Sequence, residues 1–221
     1  MRSNEELQQD VQNALKWEPQ LHAAEIGVTA KDGIITLTGT VDSYAKKAEA
    51  EEAAKNVTGV KAVVEKITVH FDNWGEKTDN EIANEVINAC KWHWDIPNEK
   101  IKIKVEDGWV TLEGEIEWNY QKEAAKKAVS NLMGVKGVTN NIMIVSSTKN
   151  HVQRKDIETA LLRNVSINVG GIDVIVSGSK VTLTGSVDSW HQKDEAGRMA
   201  WNAPGVLEVD NELKVEYNDN D

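Results

Sequence analysis

The chain has 221 residues, with 25 Lys and Arg against 36 Asp and Glu, and a formal net charge of −11. A field of that sign repels nucleic-acid phosphates and gives no purely electrostatic grip on anionic lipid, and no run of Lys and Arg overturns it locally. One cysteine, Cys90, excludes an internal disulfide, and no apolar stretch approaches the ~20 residues of a membrane span.

The chain begins MRSNEELQQDVQNAL, which is polar and helical with no apolar signal core, so as written it reads as cytoplasmic. The helix is expected from about Asn4 to Trp17, with Leu7, Val11, Ala14 and Leu15 as its apolar stripe and Pro19 stopping its continuation. Ile26, Val28 and Ala30 alternate as a first strand, Asp32-Gly33 is a hairpin-type turn, and Ile35–Val41 is a second strand. A second helix turns Ala50, Ala53, Ala54 and Val57 inward. After the step Gly59-Val60 comes a last strand, Ala62–Val69.

The series then repeats. After the linker His70–Lys77, which holds Trp74, Thr78 and Glu81 fit a capping box ahead of Ile82, Val86, Ala89 and Cys90. Cys90, in this apolar helical position, reads as a buried structural thiol. Pro97 lies in the connector and is expected to stop any continuation of the helix, Ile101, Ile103 and Val105 alternate, and Asp107-Gly108 turns into Val110–Ile116. Ala125, Ala128, Val129 and Leu132 form the next inner helix face, followed by Gly134-Val135 and Val138–Val145. Beyond the small polar linker Ser146–Asn150, the third series has Val152 or Gln153, Ile157, Ala160 and Leu161, then Ile172, Val174 and Val176. It continues through a longer turn, Ser177-Gly178-Ser179-Lys180, to Val181–Val187, the helix face Ala196, Met199, Ala200 and Ala203, the step Gly205-Val206, and Leu207–Val215.

The registers confirm the repetition. Gly39 to Gly114 is 75 positions and so is Gly59 to Gly134; Gly114 to Gly185 is 71, as is Gly134 to Gly205. Two separated landmarks holding one spacing mark tandem copies of one unit. The expected fold class is α+β: three tandem α-β-β-α-β modules over 1–72, 76–146 and 150–217, each a three-stranded mixed sheet with two helices packed on one face. A unit this small buries only about 60% of its unfolded surface, so contacts between neighbours would add stability. Glycine inside a strand costs stability, so Gly39, Gly114 and Gly185 suggest a bulge or a helix lying close against the sheet.

The phrases GIITLTGTVDSY, GWVTLEGEIEWN and KVTLTGSVDSW, with the trailing Gly-Val steps and the element order, resemble the BON domain family. The resemblance runs from about Asn4 to Tyr217 as three such domains. Gly39, Gly114 and Gly185 match the glycine for which the family is best known, and Gly59, Gly134 and Gly205 match its second. It implies a protein similar to osmotically inducible periplasmic proteins, with phospholipid or membrane attachment as its role, a periplasmic location and no enzymatic activity.

The residues themselves offer little chemistry. His22, His70, His93, His151 and His191 fall at different phases of the repeat, and no pair has helical i, i+4 spacing for a metal, so no cofactor or metal is expected. The carboxylates sit beside lysines, as in Lys47–Glu51 and Glu123–Lys127, and read as solvated helix faces. A hydrolase would need a nucleophile and a base meeting in one cleft, which nothing here suggests. Tryptophan is the anomaly, eight against one Phe. Trp17 and Trp92 end equivalent helices, Trp94 lies just beyond and Trp74 is in a linker. Such side chains suit half-buried seams or exposed anchors, and both readings stay open. Two functions follow: a non-catalytic binding protein touching phospholipid or an envelope component through these Trp residues, or a stress-associated scaffold that binds proteins and not lipid.

Overall fold

The structure, a computed structural model, describes residues 3–21, 26–71, 77–145, 152–163 and 171–216. The order helix, strand, strand, helix, strand occurs three times: α1 Asn4–Trp17, β1 Ile26–Lys31, β2 Ile34–Val41, α2 Tyr44–Lys55, β3 Ala62–Val69; α3 Asp79–Trp92, β4 Ile101–Glu106, β5 Trp109–Ile116, α4 Asn119–Ser130, β6 Gly137–Ile144; α5 Arg154–Arg163, β7 Ile172–Ser177, β8 Lys180–Val187, α6 Trp190–Trp201, β9 Glu208–Asn211 and β10 Lys214–Val215. Two compact units result. One comprises Met1–Thr38, Ala50–Lys66 and Thr148–Asp221; the other comprises Gly39–Glu49 and Ile67–Ser147.

The second unit contains the whole middle repeat. Its helix α3 starts where the sequence places it, because Thr78 and Glu81 close a reciprocal capping box. Strand β5 is central: β4 runs antiparallel to it from Ile101↔Gly114 to Glu106↔Trp109, and β6 runs parallel to it from Trp109↔Gly137 to Ile116↔Ile144. Both ladders are continuous, so no bulge interrupts them at Gly114. A parallel neighbour needs a crossover, and α4 supplies it. Val110, Leu112 and Ile116 face Ile82, Val86 and Cys90 of α3 and Ala125 and Val129 of α4 in one buried cluster. Each large aliphatic side chain in it is worth ~1.5–3 kcal/mol relative to exposure. Tyr44, at the start of α2, packs against the same cluster. On the open face Trp109 lies across its strand partner Gly137, where an added Cβ would come within 2.2 Å of the indole. The ring covers the backbone that the glycine leaves bare.

In the other unit the third repeat has the same plan around β8, with β7 antiparallel and both β9 and β10 parallel to it. Ile157, Leu161, Val174, Leu183, Ala196 and Leu213 belong to its core. The single last strand expected over Leu207–Val215 is two pieces. Asn211 bonds the Leu213 N–H at 3.4 Å and the Lys193 carbonyl at 2.7 Å. Asn140 makes the same pair of bonds in the middle repeat, to Ile142 N–H and the Lys122 carbonyl, on a strand that stays whole. The turn expected to be longer is not: Ser177 pairs with Lys180, leaving the two residues Gly178 and Ser179. Gly178 at φ +64 gives the glycine-first form of a two-residue turn, whereas Asp32-Gly33 and Asp107-Gly108 have positive φ at both positions. In the first repeat the strand order is β1-β2-β3.

Small polar ties hold these parts. Asp79, the first residue of α3, accepts from Asp107 N–H with Oδ2 and from Gly108 N–H with Oδ1, both at 2.9 Å. Asn4 of α1 makes one such bond, Oδ1 to Asp32 N–H at 2.9 Å. At the border of the sheets, Lys47 Nζ donates to the Ile67 carbonyl at 2.9 Å and Lys193 Nζ to the Leu213 carbonyl at 2.7 Å.

Candidate binding surface

Helical geometry sets the exposure of the tryptophans. α1 buries Leu7, Val11 and Leu15, and α3 buries Ile82, Val86 and Cys90. At about 100° per residue, a side chain two positions after Leu15 or Cys90 points roughly opposite the core. Trp17 is accordingly 84% exposed and Trp92 87%. The chain then turns back, with Ile96 N–H donating to the His93 carbonyl at 3.1 Å and Ile96 buried. Trp94 sits on that turn at 93% exposure. The first repeat has the equivalent turn, Leu21 N–H to the Glu18 carbonyl at 3.0 Å, with Pro19 in the place of Trp94. Helix α3 ends at Trp92, so Pro97 follows the turn and does not stop the helix. Trp74, His22 and His151 lie outside the described residues.

Around Trp92 and Trp94, Lys91 and His93 are exposed. His93 Nδ1 stands 3.7 Å from Asp95 Oδ1, an oxygen shut off from solvent that has no hydrogen-bond partner. The separation is too long for a hydrogen bond and leaves only a weak electrostatic contact. Trp109 and Trp118 are half exposed.

The glycines have a structural cause. Gly114 has φ +146, and a Cβ there would lie 2.1 Å from the Lys100 carbonyl oxygen; at Gly185 it would lie 1.9 Å from the Gly171 carbonyl. The close approach comes from the backbone of a short 3₁₀ turn, Asn98–Lys100 beside Gly114, leading into the neighbouring strand, not from a bulge or an α-helix. The expected helix contact occurs instead at the second glycine, where a Cβ on Gly134 would meet Ile82 of α3 at 3.1 Å.

On the open face of the middle sheet an open groove of about 760 Å³ runs past Lys100, Lys102, Glu113, Glu115, Met143 and Val145. Its lining holds no Ser, Thr, Cys or His. Among the described residues no polar or charged side chain is fully buried, and no group of three His, Cys, Asp or Glu could hold a metal. Burial pushes the Cys90 thiol up, away from the reactive thiolate. No helix of the described residues is long and apolar enough to cross a membrane.

Three matches to the BON domain model, over residues 3–70, 78–146 and 150–217, show that the chain belongs to the BON domain family. It is similar to the osmotically-inducible protein Y of Escherichia coli K12, at 28% identity over 136 residues, spanning 60% of this chain and 68% of that one. Two solved structures of CdsD, a structural protein of the type III secretion system of Chlamydia trachomatis, also align. One is 15% identical and covers 97% of this chain and all of its own; the other is 12% identical, covering 96% and 92%. Both superpose with a TM-score of only 0.26. The family is generally non-enzymatic, and the relative is named for its osmotic induction.

Proposed function

We propose that this is a non-catalytic binding protein of three repeats, taken as domains 1–72, 76–146 and 150–217, the first two of which carry Trp-bearing helix ends that touch phospholipid or another envelope component, whereas the third ends the equivalent helix at Arg163. The observation that carries the reading is the near-complete exposure of Trp92 and Trp94 on one helix-end turn. Aromatic side chains of this size bury ~150–250 Å² each, so the pair offers a few hundred Å² of apolar surface. At ~25 cal/mol per Å² this is about 8–10 kcal/mol of gross transfer, much of it offset by the freedom lost on association. Each contact is therefore weak, and several on one chain would act together.

The test is co-sedimentation with neutral and with anionic phospholipid vesicles, comparing the native chain with Trp92→Ala/Trp94→Ala and with Trp17→Ala. Binding that survives all three replacements removes the assigned surface. The net charge of −11 favours a second reading, in which the same tryptophans anchor an envelope protein as a scaffold does. Absence of vesicle binding, together with loss of a co-purified protein in the double variant, would select it.

A further inference from the structure

Only two Asp-Gly pairs occur in the chain, Asp32-Gly33 and Asp107-Gly108, and both occupy two-residue hairpin turns with positive φ. Asp-Gly is the sequence most open to intramolecular imide formation, because glycine puts no side chain in the way of its own amide nitrogen. The Gly nitrogen attacks Cγ of the Asp carboxyl, forming a C–N bond. The hydroxyl of the protonated carboxyl leaves as water, taking up the amide proton. Water then opens the ring at either carbonyl, restoring Asp or leaving isoaspartate, whose backbone runs through Cγ. The sequence consumes and returns one water and needs no other reactant.

The two turns differ at the attacking atom. Gly108 is buried and its N–H is held by Asp79 Oδ1 at 2.9 Å, while the other Asp79 oxygen holds Asp107 N–H. Gly33 is only partly buried, and Asn4 holds Asp32 N–H but not Gly33 N–H, which has no acceptor among the described residues. Asp32 itself is exposed. We propose that Asp32 is a site of spontaneous isomerisation to isoaspartate, and that Asp79 is a positioning residue that suppresses the same reaction at Asp107. A lengthened backbone at Asp32 cannot keep this tight turn, and the bond from Lys61 N–H to the Gly33 carbonyl, 2.7 Å, would be lost with it.

The experiment is prolonged incubation of the full native chain in warm neutral buffer. Peptide mapping by electron-transfer mass spectrometry then separates Asp from isoaspartate at each site. Asp32 is expected to convert about tenfold faster than Asp107, the factor that one charge-assisted hydrogen bond supplies. Asp79→Asn should raise the rate at Asp107 towards that at Asp32, and Asn4→Asp should slow Asp32. Amide exchange in the core strands, measured on both variants, separates a local effect at the turn from unfolding: the rate changes at Asp32 and Asp107 should exceed any change in core exchange. Equal rates at the two sites in the native chain, or an Asn4→Asp variant that isomerises at Asp32 as fast as before, would overturn the proposal.

Discussion

Replacing Gly114 by Ala adds one methyl group to the middle repeat, yet two costs coincide there. Backbone at φ +146 is nearly closed to an L side chain and costs roughly 1–3 kcal/mol. The new Cβ would also stand 2.1 Å from the Lys100 carbonyl oxygen, which is backbone and cannot swing aside. The start of β4 must move, and the ladder bonds flanking the Ile101↔Gly114 pair, about 1 kcal/mol each, weaken. Together the change should cost about 3–5 kcal/mol. A unit of about 70 residues has roughly 4–10 kcal/mol in all, so the loss takes much of it. Valine, being branched, should do worse. Hydrogen exchange of the full chain, read on peptides spanning β4 and β5, is the measurement, because a three-repeat chain need not melt in one step. Glu115→Ala, an exposed change next door, should stay within about 0.5 kcal/mol. If Gly114→Ala leaves protection in β4 as high as Glu115→Ala does, the carbonyl contact is not what demands glycine.

Three further outcomes follow. Cys90 is 1% exposed, so a thiol reagent should label it only through opening of the middle repeat, and Gly114→Ala should speed labelling by about a hundredfold or more. Asp79→Ala removes two hydrogen bonds to the turn and an acid at a helix start and should cost about 2–3 kcal/mol, while Asn4→Ala, losing one bond, should cost about 1 kcal/mol, read as denaturation midpoints of local exchange. At Asp194, desolvation pushes the carboxyl above its ordinary value, Lys55 of α2 pulls it down and Glu52 pushes it up, with lesser lowering by Lys193 and His191, although solvent still reaches the group. A folded-state value above the unfolded one makes the ionised form the costly one. Stability is therefore gained as pH falls from the folded value towards the ordinary Asp value, and Asp194→Asn should be modestly more stable than the native chain at neutral pH, with the advantage vanishing in acid. Thermal midpoints across pH would show a constant difference if this account is wrong.

Much of the architecture is written in local chemistry. The Asp-Gly turns, the Thr78–Glu81 box and the alternation of strands such as Val110–Ile116 depend on neighbours a few residues away, and the structure places them as expected. Ser3 and Glu6 carry the same capping signal and were open to the same reading. What stayed hidden depends on distant backbone. The need for Gly114 arises from a carbonyl fourteen positions earlier, visible only once the β4–β5 register is known. The division of Leu207–Val215 has no counterpart in hydrophobic pattern, since Leu213 is as apolar and as buried as its equivalent Ile142. For the tryptophans, composition alone left burial and exposure open; the phase of Trp17 and Trp92 against Leu15 and Cys90 could have separated them.

The lysine and asparagine side chains that reach the border of each sheet have a colloidal meaning. An unpaired row of amides and carbonyls invites another polypeptide to add on, copy after copy. With the Ile67 and Leu213 carbonyls capped by lysine ammonium groups and the Ile142 N–H by Asn140, that template is already occupied at its middle. Crowded into a concentrated compartment, such chains would stay dispersed and would not knit into fibrils along that rim.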